Sequence, residues 1–110
     1  MQCAADYVFK ALADPTRREL FERLTRDGEQ TVHALSDRAG VSQPMVSKHL
    51  AALKRARLVN NRRSGREAQD SAQTKALAPL FDWMRLYGTV ARDQDRGRFS
   101  EVIAGTDSFC

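Results

Sequence analysis

A mainly α-helical fold, about five helices with one small β-hairpin, is what this sequence predicts, and three features predict it. Apolar residues recur at helical spacing in five stretches between about residue 3 and residue 90. Asp14, Thr31 and Ser42 stand just ahead of three of these stretches, twice with a proline close behind. A Ser64-Gly65 turn lies between two short polar segments of extended character. The 110 residues suit one domain with one core. A hydrophobic share of 42% and a charged share of 29% are ordinary for a folded chain and argue against wholesale disorder.

The elements follow in order. Tyr7, Val8, Ala11 and Leu12 mark a first helix from about residue 3 to 12. Asp14-Pro15-Thr16 restarts the chain: Asp14 caps a second helix, and Pro15 suits a first turn that needs no amide donor. Leu20, Phe21 and Leu24 share one face of it, and Asp27-Gly28 ends it. Thr31 caps a third helix that turns Val32, Leu35 and Ala39 inward and stops at Gly40. Val41 fills a tight turn, and Ser42 caps a fourth helix with Pro44 near its start. Val46, Leu50 and Leu53 form its buried stripe; Gln43, Ser47, Lys48, Ala51 and Lys54 lie opposite. Two short helices joined by a Gly-containing turn form a helix-turn-helix. Residues 60–66 then read as a hairpin with a basic tip. A fifth helix from near Thr74 carries Leu77, Leu80, Phe81, Trp83, Met84, Leu86, Tyr87 and Val90. That is more apolar surface than one small core can use, and the surplus is expected to meet a second subunit. The chain thus divides into a domain over 1–92 and a polar tail over 93–110, for which a short helix and partial disorder are both open readings.

Charge is distributed unevenly. From Arg38 to Arg66 there are eight Lys and Arg residues and no Asp or Glu. The rest of the chain holds ten of the eighteen basic residues against all fourteen acidic ones. A one-sign block on an otherwise acidic body reads as a polyanion-binding surface. No apolar run is long enough to span a bilayer, so no membrane partner is expected. The N-terminus lacks a basic segment followed by an apolar stretch, and a cytoplasmic location is expected. Cys3 and Cys110 are too few for a disulfide framework and read as incidental thiols of a reducing compartment.

Four pieces of the chain resemble the ArsR/SmtB-type winged helix-turn-helix repressors, most closely members without a metal sensor site. FKALADPTRRELFERL resembles the family's first two helices. VSQPMVSKHLAALKRARLV resembles its turn, recognition helix and entry to the wing. NRRSGRE resembles the wing, and LAPLFDWM the start of the last helix. The resemblance covers roughly residues 7 to 90. It implies a winged helix-turn-helix that dimerises through its first and last helices. Two features depart from the pattern. Asp70 lies where the outgoing wing strand often has a tyrosine, which argues for a weakened second strand. Met45 replaces a small residue, so base contacts there should differ. Metal-sensing relatives carry Cys-x-Cys in the third helix, or His and acidic ligands in the last. Here the Cys positions are Thr31 and His33, and Asp82 stands without a histidine in the last helix, so neither metal nor another cofactor is expected. No Gly-rich phosphate loop or paired-carboxylate motif suggests an enzyme.

The expected partners are double-stranded DNA and a second copy of the chain, in the manner of a repressor on an inverted-repeat operator. The fourth helix would enter the major groove. There Gln43 can bond adenine or other base edges, Ser47 a base or phosphate, and Lys48 guanine or phosphate. Ser42 sits at the helix start, whose amides favour a phosphate. Met45 and Lys54 belong to the same candidate surface, and His49 is either structural or a phosphate donor. Arg62, Arg63 and Arg66 would meet the backbone or the minor groove. A nucleoid-type or RNA-binding protein would share the basic block without sequence preference. A protein–protein module would have no use for eight uncompensated cations.

Overall fold

The computed structural model describes residues 3–92. Among them are five α-helices and one two-stranded sheet: α1 (Ala4–Ala13), α2 (Pro15–Asp27), α3 (Val32–Ala39), α4 (Gln43–Arg55), β1 (Val59–Ser64), β2 (Glu67–Ala72) and α5 (Ala78–Arg92). A 3-10 turn, Thr74–Leu77, leads into α5. This is the mainly helical architecture with one hairpin that the sequence predicts. The polar tail, 93–110, lies outside the described residues.

The predicted caps are in place. Asp14 accepts from the amide of Arg17 at 2.9 Å, Thr31 from Ala34 at 3.1 Å and Ser42 from Met45 at 3.4 Å. The Arg17 amide is the main cause that holds the Asp14 carboxyl below its ordinary value, with a smaller electrostatic contribution from His49. The junction between α1 and α2 is also closed from the other side. Arg17 Nε donates to the carbonyl of Ala11 at 2.7 Å, and an Arg18 guanidinium nitrogen donates to that of Leu12 at 2.8 Å. These contacts satisfy carbonyls at the end of α1 that have no partner within the helix. Gly40 ends α3 at φ 67°, the left-handed conformation that costs a glycine nothing.

Leu20, Leu24, Leu35, Leu50, Leu53 and Leu58 are fully buried with Val8 and Val46, so α1 to α4 and the entry to the hairpin share one core. Leu77 packs against it from the 3-10 turn and Leu80 from the last helix. Phe9 and Trp83 meet edge to face, ring centroids 5.5 Å apart, and tie α1 to α5.

The hairpin differs from expectation in two ways. Its two-residue loop is Gly65-Arg66, with Ser64 paired to Glu67 and Gly65 at φ 66°. The turn is therefore one residue later than expected, because glycine serves the positive φ of a tight hairpin. The outgoing strand is also fully formed, six residues in register with β1 from Val59↔Ala72 to Ser64↔Glu67. Asp70 does not weaken it. Its backbone exchanges hydrogen bonds with Gln30 at 2.8 and 2.9 Å, and its buried carboxylate is paired. Cys3, at the start of α1, is not free, which counts against its reading as an incidental thiol; Cys110 lies outside the described residues.

Candidate nucleic-acid interface

The amphipathic pattern of α4 settles which of its side chains reach solvent. Val46, Leu50 and Leu53 anchor one face in the core. Ser42, Gln43, Met45, Ser47, Lys48 and Lys54 are all exposed on the others. Gln43, Ser47 and Ala51 follow one another at four-residue spacing, with Lys48 beside them, so the start of the helix offers short polar groups and a cation. Met45 is 43% exposed on the same end of the helix. His49 does not join this surface. It is 7% exposed, its Nδ1 is buried without a hydrogen-bond partner, and it faces the start of α2 closely enough to act on Asp14. Its position three residues past Val46 turns it to the core side, so the reading as a phosphate donor gives way to a structural one.

Two of the expected cations are engaged within the chain. Lys54 Nζ lies 3.1 Å from the carboxylate of Asp70, which also accepts from Asn61 Nδ2 at 3.1 Å. Lys54 therefore joins the end of α4 to β2. Arg62 makes a two-point contact with Glu29, Nε donating to one carboxylate oxygen at 3.3 Å and a terminal nitrogen to the other. Glu29 raises the Arg62 pKa further above its ordinary value through that hydrogen bond and its charge. Arg63 and Arg66 have no carboxylate partner among the described residues, and both are exposed at the hairpin tip. The basic block is thus partly compensated by Glu29 and Asp70, while Arg38, Lys48, Arg55, Arg57, Arg63 and Arg66 have no carboxylate partner among the described residues.

A third contact reaches the recognition surface from α3. Gln43 Nε2 lies 3.0 Å from His33 Nδ1, and His33 Nε2 lies 3.3 Å from Asp37. Sequence reasoning weighed His33 only as a metal-ligand position. Its link to Gln43 depends on how the two helices cross, which no local pattern encodes. Glu29 was missed for the same reason, lying 33 residues from Arg62. Among the described residues no three His, Cys, Asp or Glu side chains group so as to hold a metal ion.

On the far side, α5 exposes Phe81 at 68% and Met84 at 54%. The side chain of Val90, expected to share this face, lies outside those described. No helix among the described residues is long and apolar enough to cross a membrane.

Residues 12–62 match the family model described as a helix-turn-helix domain. The chain is 35% identical over 77 residues to the transcriptional repressor SdpR of Bacillus subtilis, an alignment covering 70% of this chain and 84% of that one. It spans about half the length of several other curated relatives that it matches. Its fold is similar to that of an ArsR-like transcriptional regulator from Rhodococcus sp. RHA1, with a TM-score of 0.73, 30% identity, and coverage of 96% of this chain and 94% of the other. It is also similar to the homodimeric winged helix-turn-helix DNA-binding domain of Mb0332 from Mycobacterium bovis, with a TM-score of 0.63, 29% identity, and coverage of 79% and 80%. These relatives are regulators rather than enzymes, and with them the chain belongs to the ArsR-type family of winged helix-turn-helix transcriptional regulators.

Proposed function

We propose that this protein is a homodimeric repressor that binds an inverted-repeat operator in double-stranded DNA without a metal cofactor. The observation that carries the reading is the exposed polar start of α4 together with a hairpin tip whose Arg63 and Arg66 have no carboxylate partner among the described residues. The major groove admits one helix, and its base edges show donor and acceptor patterns that Gln43, Ser47 and Lys48 can match. Ser42 stands where the first helical amides favour a phosphate. Arg63 and Arg66 approach the flanking backbone or minor groove, where cations raise affinity without reading sequence.

One helix reads only a few base pairs, and a two-fold pair reads two half-sites about one helical turn apart. The exposed Phe81 and Met84 of α5 supply the apolar face for that pairing. Occupying a promoter blocks transcription, and the same role places the protein in the cytoplasm. Thr31 and His33, where metal-sensing relatives carry thiolates, leave one imidazole, too few donors for a closed zinc site. Sequences selected from a random duplex pool test the whole reading. Palindromic sites with half-sites about 10 base pairs apart, unchanged by stoichiometric zinc, are expected. Unordered sequences, or palindromes lost on adding zinc, would contradict it.

A further inference from the structure

We infer that His33 is a positioning residue for base recognition: it fixes the orientation of the Gln43 amide so that the amide selects adenine. The inference rests on the proposed docking of α4 and adds to it the base that Gln43 reads.

Gln43 Nε2 and His33 Nδ1 are 3.0 Å apart. An amide nitrogen can only donate, so Nδ1 accepts and carries no proton. The ring proton then sits on Nε2, which lies 3.3 Å from Asp37 Oδ2, one turn along α3, where the negative carboxylate favours it. Asp37 fixes the tautomer of His33, and the tautomer fixes which end of the amide turns toward α3.

The consequence for DNA follows from counting donors. Gln43 has two N–H groups and one carbonyl oxygen, and His33 takes one N–H. The groove is left with one donor and one acceptor side by side. Adenine presents the complement, the N7 acceptor and the N6 amino donor, whereas guanine presents only the acceptors N7 and O6. The reversed amide would turn its oxygen to α3 and both donors to the groove, a pattern suited to guanine. The group at position 33 therefore decides the base. His33 and Asp37 are 72% and 68% exposed, so replacing either leaves the core intact.

Selection from a random duplex pool, with the full chain and its variants, tests this. Gln43→Ala identifies the base position concerned as the one whose preference it flattens, and the wild type should show adenine there. His33→Leu, which cannot accept, should lower that preference about fivefold or more, the low end for one bidentate pair, and leave other positions unchanged. His33→Gln can both accept from Gln43 and donate to Asp37, and should restore adenine. His33→Lys can only donate, and should turn the preference toward guanine. Full adenine preference in His33→Leu, or identical behaviour of the Gln and Lys variants, would overturn the inference while leaving α4 docking intact. If Gln43→Ala flattens no position, the docking itself is wrong and the inference falls with it.

Discussion

Asp70 is 1% exposed, yet it carries a charge that Lys54 and Asn61 meet from two other elements. A carboxylate so placed holds α4 and both strands together only while its partners remain, because a lone buried charge is costly. Lys54→Met should therefore destabilise the fold by about 3 kcal/mol, the low end for a broken buried pair because the lysine end is partly in water. Denaturant unfolding measures it, and adding Asp70→Asn to Lys54→Met should recover much of the loss. A change within about 0.5 kcal/mol for Lys54→Met would mean the pair is ornamental. At this scale the sequence was legible where partners are near. The caps Asp14, Thr31 and Ser42 bond amides three residues on and could be read directly. Lys54, Arg62 and His33 could not, because each is engaged by a residue of another element, and only the packing of those elements brings the two together.

The helices were legible as elements because their apolar stripes repeat with the helical period and their ends carry Asp14, Thr31, Ser42 and Gly40. The hairpin was less so. β1 buries only Val59 and β2 only Asp70, so neither strand shows the alternation that marks a half-buried strand. What holds β2 is its exchange with Gln30 and the ion pair of Asp70, neither of which a pattern search detects. The turn from α4 into β1 contains a further cost. Arg57 stands at φ 64°, in the left-handed region that its side chain disfavours. Arg57→Gly should stabilise the fold by about 1 kcal/mol, since relief of that strain outweighs the extra freedom glycine gains on unfolding. A rise in the urea midpoint with an unchanged m-value would support this, and a lower midpoint would contradict it.

For the whole molecule, two surfaces must work together: a basic edge formed by α4 and the hairpin tip, and an apolar face on α5. Trp83, still 40% exposed, packs within the subunit on Phe9 and Tyr87, whereas Phe81 is 68% exposed. Burying a large apolar side chain is worth about 1.5–3 kcal/mol, counted once per subunit. Phe81→Ala should then raise the dimer dissociation constant about a hundredfold or more with its helical content preserved. Sedimentation of a stable wild-type monomer at micromolar concentration would sink this. The central claim is the division of labour on the basic edge: Gln43 discriminates and the hairpin tip adds affinity. Each phosphate contact contributes about 0.9 to the slope of log affinity against log salt, and a dimer doubles it. Arg62 is held by Glu29, so Arg63 and Arg66 are the residues to change. Titrations of the wild type and variants at several salt concentrations, on operator and scrambled duplexes, measure this most directly. Replacing Arg63 and Arg66 by Ala should flatten the slope by about two to four units and weaken both duplexes alike, whereas Gln43→Ala should lower the operator-to-scrambled ratio and leave the slope nearly unchanged. A flattened slope in Gln43→Ala, with only relaxed sequence preference in the arginine variant, would reverse the roles and contradict the account.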